Sequence, residues 1–300
     1  MRTRTAAAAL STVAALACMT ASVSAVADDG PSGRDSARPF ADRQHSASAR
    51  PDLMAVGLTA DQRLVGFNVR TPGKPWSYGK LKGLSGDRKL VGIDFRVQNG
   101  ALYGVGDRGG IYTLTEKARA KKVSQLTAAL NGTNFGVDFN PAANRLRVVS
   151  DTGQNLRHNI DDPAAPVGTI ADTVLTNPTM PAPTTALGVT GAAYTNNDLN
   201  PATATSLFDI DTANDRVSLQ SPANAGTLAP TGNLGVAAGP DAGFDVYTGE
   251  NGANSGFAVL RTAQGPRLYA VDLLGGRAGD RGAFPGSTPV TDLALPLGQA

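Results

Sequence analysis

Aspartates recur at one position of a repeated sequence pattern. When residues 91–113 are aligned without a gap on residues 135–157, Asp94 falls on Asp138, and Asp245 takes the same place in a later copy. Three carboxylates at one level of a ring could coordinate a divalent cation such as Ca²⁺, or could do acid–base chemistry. The pattern is more typical of a structural role, in which each aspartate accepts a backbone N–H of a neighbouring strand and ties two blades together.

The segment RLRVVSDTGQNLRHN, residues 145–159, carries the densest set of polar side chains in the chain. Its arginines alternate on the two strands of a predicted hairpin. Their guanidinium groups could form bidentate hydrogen bonds with the carboxylate of a ligand such as a sugar acid. The same arginines could instead pair with aspartates of a neighbouring sheet. We expect the loop at the hairpin tip to lie on the ligand-binding face. The candidate ligand-binding residues are Arg145, Arg147, Ser150, Gln154, Asn155 and Arg157.

A glycine-rich stretch, YGVGDRGGIYTLT, contains the pattern G-x-G-x-x-G at Gly104, Gly106 and Gly109. A dinucleotide-binding loop needs these glycines between a strand and a helix. Here the residues that follow alternate as in a strand, and the second copy of the repeat keeps only Gly153. The pattern therefore predicts a hairpin turn with positive φ at Gly109 and Gly153, and no nucleotide site.

Other side chains that could do chemistry are few. The chain has two histidines, His45 and His158, two glutamates, and one cysteine, Cys18. Their number and spacing predict no Cys/His metal site. A single histidine on a predicted strand is typical of a packed or surface residue, so His158 is interpreted in that way.

The N-terminus is typical of a secretory signal. Arg2 and Arg4 precede a short alanine-rich apolar stretch, and Ala25-Val26-Ala27 forms a cleavage site, so we expect a signal peptide over residues 1–27. The stretch is too short and too alanine-rich to span a bilayer. Residues 28–50 lack periodicity and predict a disordered linker. The mature chain is expected to be secreted or periplasmic, with lipidation on Cys18 as the alternative.

Charge argues against nucleic acid as a partner. The chain has 27 Lys and Arg residues against 25 Asp and Glu residues, and removal of Arg2 and Arg4 with the signal leaves equal numbers. A neutral chain lacks the basic surface on which binding to phosphate backbones depends.

Repeats of about 50 residues indicate how these side chains are positioned. Glycines 92, 136, 191 and 243 begin similar short motifs, and Asp292 stands in the glycine's place in a fifth. Repeats of this length with about four short strands each are typical of β-propeller blades. We predict an all-β propeller of five blades over residues 51–300. Pairing of VTDLALP with the leading strand MAVGLT would close the ring and remove two open sheet edges.

Five motifs of the chain carry a resemblance to a known family: LVGIDFR, LYGVGDRGGIYTLT, FGVDFNPAANRLRVVSDTGQNLRHN, GVTGAAYTNN and SLFDIDTANDRVSLQSPANAGTL. Together they resemble the domain of unknown function 4394 family, and the similarity extends from about Leu53 to the C-terminus. The resemblance implies a secreted bacterial β-propeller-like domain with no assigned activity, cofactor or catalytic residue. Its most specific motif falls on the predicted arginine hairpin.

These observations favour a secreted, monomeric, non-catalytic binding module without a bound cofactor, whose ligand is an unknown small molecule, glycan or protein. The alternative is an extracellular hydrolase, similar to a glycosidase or lactonase, that uses Asp94, Asp138 and Asp245 around a bound cation. The scarcity of glutamate and histidine weakens this alternative.

Overall fold

The computed structural model describes residues 52–200 and 202–299 of the chain. This part of the chain forms 22 β-strands and a one-turn 3₁₀ helix, Ala223–Ala225, and contains no α-helix. The all-β prediction is thereby confirmed. The predicted signal peptide, residues 1–27, and the predicted linker, residues 28–50, lie outside the described residues and stay predictions.

Twenty of the strands form five four-stranded antiparallel sheets, the blades of a propeller. Blade I consists of β1 (Met54–Thr59), β2 (Arg63–Asn68), β3 (Trp76–Lys80) and β22 (Val290–Ala294). Blade II consists of β4 (Leu90–Arg96), β5 (Ala101–Gly106), β6 (Gly110–Leu114) and β7 (Ala120–Gln125). Blade III consists of β8 (Phe135–Asn140), β9 (Arg145–Ser150), β10 (Asn155–Asn159) and β11 (Gly168–Ala171).

Two further blades follow a short insertion. The insertion is a hairpin of β12 (Thr176–Asn177) and β13 (Thr184–Thr185). Blade IV consists of β14 (Val189–Tyr194), β15 (Leu207–Asp211), β16 (Arg216–Gln220) and β17 (Leu228–Asn233). Blade V consists of β18 (Ala242–Thr248), β19 (Asn254–Thr262), β20 (Gly265–Val271) and β21 (Ala278–Ala283). The predicted count of five blades is confirmed, whereas the β12–β13 hairpin was not predicted.

The position of a strand in its blade follows from its composition. The first strands of blades II to V and β22 of blade I lie in contact around the centre, where β14 is buried along its whole length. These inner strands are rich in glycine, alanine and valine, because a strand buried on both faces has no solvated side. The outermost strands are largely exposed, as in the lysine-bearing β7.

Ring closure occurs as the sequence predicts. Strand β22 pairs antiparallel with β1, and Leu293 lies opposite Gly57. The side chains of Leu293 and Leu295 are buried in the apolar core between blades V and I. Beyond the strand, Gln299 Oε1 accepts the backbone N–H of Met54 at 2.6 Å, so the two ends of the domain meet.

Each of the five interfaces between blades contains an apolar cluster, and the smallest lies between blades III and IV. Clusters of buried aliphatic and aromatic side chains fill the V–I, IV–V, II–III and I–II interfaces. Between blades III and IV the apolar cluster is smaller. The buried polar residues of that interface are Arg147, Asn155, Asp209, Ser218 and Gln220. Arg147 and Asn155 are hydrogen-bonded, as burial of polar groups requires.

Candidate functional site

The ring brings the three predicted aspartates together. Asp94, Asp138 and Asp245 lie on the inner strands β4, β8 and β18, each two residues after the glycine of its repeat. One carboxylate oxygen from each lies within 4.8 Å of the others, and all three residues are buried. Residues aligned by a repeat occupy the same level of a propeller, which is why the alignment finds this acidic cluster.

Each carboxylate of the acidic cluster also ties its blade to the next. The backbone N–H of Phe139 donates to Asp94 Oδ2 at 2.7 Å, that of Tyr194 donates to Asp138 Oδ1 at 3.1 Å, and that of Leu295 donates to Asp245 Oδ2 at 2.6 Å. Each of these bonds joins two neighbouring blades. The hydrogen bonds expected for the structural role of the aspartates are therefore present.

Burial raises the pKa values of the three aspartates. Removal from water, and then the negative charge of Asp245, holds the pKa of Asp94 well above its ordinary value. Burial and the charge of Asp94 raise the pKa of Asp138 in the same way. Burial raises the pKa of Asp245 to about 7, against the lowering effect of its two backbone hydrogen bonds. Protons or a cation would each relieve the repulsion between the three carboxylates.

The cavity beside the acidic cluster is small. It has a volume of about 20 Å³ and is lined by the three aspartates together with Tyr194, Asn196 and other residues at the ends of the inner strands. That volume holds about one water molecule or one ion. Calcium binds oxygen ligands at about 2.3–2.6 Å, so oxygens up to about 5 Å apart can share one ion. The three residues could thus hold calcium, and the metal site stays a prediction.

The centre of the ring is closed next to this cluster. At Gly136 an added Cβ atom would lie 2.7 Å from the backbone nitrogen of Ala192, and at Gly191 it would lie 2.9 Å from the Cβ of Phe244. Inner strands this close leave no room for side chains, which explains the repeated glycines. The exception is Asp292, which stands at the same level and accepts the backbone N–H of Ile93 at 2.8 Å.

The arginines of the predicted hairpin meet at a cavity between blades III and IV. Arg145, Arg147 and Arg157 line this cavity of about 220 Å³, which we call the arginine pocket. Its opposite wall comes from Tyr194 and from the turn that holds Asn224, both in blade IV. The register explains the convergence, because Arg147 lies directly opposite Arg157 on adjacent strands.

Arg147 is held mainly by structural contacts. It is buried and donates from Nη1 to Asn155 Oδ1 at 2.7 Å and to Asp172 Oδ2 at 2.8 Å. Its Nη2 donates to Asn224 Oδ1 at 2.8 Å, and its Nε donates to the hydroxyl of Tyr194 at 3.2 Å. Arg147 therefore pairs with an aspartate, which is the structural alternative that the sequence left open. Its partner Asp172 belongs to the same blade.

Arg145 and Arg157 use fewer of their guanidinium nitrogens in hydrogen bonds within the fold than Arg147 does. Nη1 of Arg145 donates to Asp162 Oδ2 at 2.8 Å and to the carbonyls of Ala143 and Asn144 at 3.0 Å and 2.8 Å. Nε of Arg157 donates to Asp172 Oδ1 at 2.9 Å. Within the described residues the remaining nitrogens of these two guanidinium groups have no hydrogen-bond partner. Each guanidinium carries five N–H donors, so most of them remain available. Asp162 pairs with Arg145, and Asp172 pairs with both Arg147 and Arg157, so three arginines share two paired aspartates.

The other predicted ligand-binding residues lie elsewhere. Ser150 ends strand β9, about 16 Å from Arg145 at its start, given the usual rise per residue in a strand. Ser150 Oγ donates to the carbonyl of Asn131 at 2.6 Å, and Gln154 Nε2 donates to that of Ala129 at 2.8 Å. Both residues therefore brace the preceding loop. The expectation that the hairpin tip and the arginines share one binding face is wrong, because they are at opposite ends of the hairpin.

Asn155 also has a structural position. It is buried below the pocket, where its Nδ2 donates to the carbonyls of Thr173 and Ala223 at 3.0 Å. Tyr194, Asp172 and Asn224, which hold Arg147 in place at the pocket, were not predicted from the sequence. These three lie in other strands or in connections between strands, and no spacing in the hairpin sequence points to them.

Two further expectations are met. Gly109 and Gly153 have φ values of 82° and 84° between paired strands, as hairpin turns require, and no helix follows Gly109 in the described chain. His158 is a packed residue that contacts Ser124 Oγ and Thr169 Oγ1, each at 2.9 Å. Burial lowers the pKa of His158 to about 4, so it is neutral at physiological pH.

No helix in the described chain is long and apolar enough to cross a membrane.

Fold and site together define a five-bladed β-propeller with an arginine-lined cavity between two of its blades. The model of the family described as Domain of unknown function (DUF4394) matches residues 63–294, and the chain belongs to that family. No curated protein sequence matches the chain.

The chain is also similar to solved structures at low sequence identity. A chain in the crystal structure of a nidogen/laminin complex has 12% identity and a TM-score of 0.46, over 82% of this chain and 85% of that chain. An auxiliary nutrient-binding protein from Bacteroides ovatus has 12% identity and a TM-score of 0.38, over 58% of this chain and 46% of that chain. One from Bacteroides thetaiotaomicron has 12% identity and a TM-score of 0.40, over 68% and 55%. This chain spans about half the length of the two nutrient-binding proteins.

Proposed function

We propose that the protein is a binding module that takes a small carboxylate-bearing ligand, such as a sugar acid, in the arginine pocket. The observation that carries this proposal is the set of unpartnered guanidinium donors of Arg145 and Arg157 facing one cavity between two blades. A planar fork of donors matches a carboxylate in both spacing and charge. The N-terminal sequence supports an extracytoplasmic location for this module.

The positions of the arginines favour ligand binding over a purely structural role. A side chain that only completes the fold would use its donors within the fold, as Arg147 does. The side chain of Arg157 is 32% exposed and is anchored by Nε alone, so its two terminal nitrogens point away from the anchor. Arg147 fixes the floor of the pocket, while Arg145 and Arg157 each pair with one aspartate and keep further N–H donors for a ligand.

Hydrolysis at the acidic cluster has less support. A cavity of about 20 Å³ admits a water molecule or an ion but no sugar ring. Each of the three aspartates is also occupied by a backbone N–H of the neighbouring blade. We therefore place the ligand in the arginine pocket.

Isothermal titration calorimetry with D-galacturonate and D-galactose tests the proposal, since the two sugars differ in the carboxylate. We expect galacturonate to bind and galactose not to bind. Arg157→Met should weaken galacturonate binding by about tenfold or more, because it removes a charged pair of donors. Asp172 keeps its bond to Arg147 in this variant, so the fold should be retained.

Arg267→Met is the matched control. Arg267 also pairs with an aspartate, Asp280, but in blade V and away from the pocket. Galacturonate that binds Arg157→Met as tightly as the wild type, or that fails to bind the folded wild type, would contradict the proposed function.

A further inference from the structure

A second polar cavity lies at the opposite end of the ring from the arginine pocket. It has a volume of about 250 Å³ and is lined by Val91, Phe135 and Thr291 near the starts of three inner strands. Asp241, which directly precedes inner strand β18, lines it as well. The cavity is therefore built from blades I, II, III and V and lies at a mouth of the ring. We call it the mouth cavity.

Three charged side chains face this cavity without pairing. Asp241 comes from blade V, Lys89 from the segment that enters blade II, and Arg261 from strand β19. Among the described residues, no ion pair or side-chain hydrogen bond is made by Asp241, Lys89 or Arg261. Burial raises the pKa of Asp241 to about 6, although the positive charges of Lys89 and Arg261 act to lower this pKa. The carboxylate of Asp241 is half-buried and keeps contact with solvent, and a ligand that supplies a charged donor would replace the water there.

Apolar residues also contribute to the lining. Leu58, Leu90 and Phe135 are buried core residues whose surfaces also line the mouth cavity. The cavity volume is about eight times the volume that one molecule occupies in liquid water. An amino acid of leucine's size fits in that space. The cavity thus offers two cations, one anion and an apolar surface to a single small molecule.

We propose that the mouth cavity binds a free α-amino acid with an apolar side chain. The ligand's carboxylate faces Lys89 and Arg261, its ammonium group faces Asp241, and its side chain packs against Leu58 and Phe135. An ammonium donor fits Asp241 better than a hydroxyl group, because a hydrogen bond between charged partners is about twice as strong as a neutral one. This inference does not depend on the arginine pocket, which offers no anion to an ammonium group other than aspartates already paired with arginine.

Calorimetric titration with three probes separates the two charges of the ligand. L-leucine carries both charges, 4-methylpentanoate lacks the ammonium group, and 3-methylbutylamine lacks the carboxylate. We expect L-leucine to bind with one site per chain and each analogue to bind at least about tenfold more weakly.

Variants then assign the charges to residues. Asp241→Asn keeps the shape of the side chain and should reduce the affinity for L-leucine to that for 4-methylpentanoate. Lys89→Met should weaken L-leucine and 4-methylpentanoate by the same factor. Asp280→Asn, which changes a carboxylate of blade V outside the cavity, is the matched control and should leave all affinities unchanged.

Two results would overturn the inference: no binding of L-leucine to the folded wild type, or equal binding to the wild type and to Asp241→Asn. Melting temperatures of each variant confirm that the fold is retained. Arg157→Met should bind L-leucine normally, so this site and the arginine pocket can fail independently.

Discussion

Replacing Asp94 by asparagine should destabilise the protein more than the same replacement at Asp138. Both oxygens of Asp94 accept backbone N–H groups, one from Phe95 at 2.6 Å and one from Phe139 at 2.7 Å. Only one oxygen of Asp138 accepts a backbone N–H, which is that of Tyr194 at 3.1 Å. An asparagine side chain has one oxygen and one NH₂ group, so it can satisfy one donor but not two.

The magnitude follows from the group that is left unpartnered. In Asp94→Asn the NH₂ group faces a buried backbone N–H, and losing that acceptor costs about 1–3 kcal/mol in the free energy of unfolding. For a domain of this size, that corresponds to a fall of about 2–12 °C in melting temperature. In Asp138→Asn the NH₂ group can take the place of the oxygen that accepts no bond, so we expect a smaller loss of stability than in Asp94→Asn.

Scanning calorimetry and urea denaturation at pH 5 measure both variants, because below the raised pKa of Asp245 no buried charge offsets the lost hydrogen bond. Asp245→Asn should behave like Asp94→Asn because its two oxygens also accept backbone N–H groups. A repeat with EDTA and with calcium chloride tests the predicted metal site. Calcium should raise the melting temperature of the wild type and not that of Asp138→Asn. The reasoning about hydrogen bonds would be refuted if Asp138→Asn lost as much stability as Asp94→Asn.

Three other predictions concern the ends of the domain and its pH dependence. Deleting Thr288–Ala300 removes strand β22 and two buried leucines worth about 2–5 kcal/mol each, so gel filtration should show aggregate or unfolded chain; a folded monomer with the wild-type melting temperature would contradict closure by β22. The pKa of Asp245, raised from 3.8 to about 7, favours the folded state fully below pH 3.8. That contribution, on the order of 4 kcal/mol, is lost as pH rises through 7. Urea denaturation between pH 5 and pH 8 should show this fall in the wild type and a flatter profile in Asp245→Asn. Mass spectrometry of the secreted protein should find Asp28 at the N-terminus, and a diacylated Cys18 would contradict that cleavage site.

The sequence was sufficient for the fold because the blades repeat. Aligned copies of one motif occupy equivalent places in a ring, so the level shared by Asp94, Asp138 and Asp245 follows from the alignment. Closure by β22 was also predictable, because the first blade lacked one strand and the last motif was left over. The β12–β13 hairpin has only two residues in each strand, which is too short for a periodic pattern.

The candidate sites were only partly predictable. The alternation of Arg145, Arg147 and Arg157 places them on one face of their hairpin, but the sequence does not tell which end of the hairpin bears a cavity. Lys89 and Asp241 went unnoticed because they stand in connections between blades, outside the aligned motifs. Side chains in such connections meet only through the closed ring, and their contacts leave no local pattern.

The pairing of β22 with β1 also bears on the order in which the ring forms. Thr291 Oγ1 donates to the carbonyl of Leu58, a residue 233 positions earlier, whereas blades II to V are built from consecutive strands. Contacts between distant parts of a chain form slowly, because the entropy of closing a long loop is lost before any contact forms. We therefore expect blade I to be completed last during refolding. A circular permutant that opens the chain at Gly286 and joins Gln299 to Asp52 through a short linker would make β22 and β1 neighbours in sequence, and should refold faster at a similar stability.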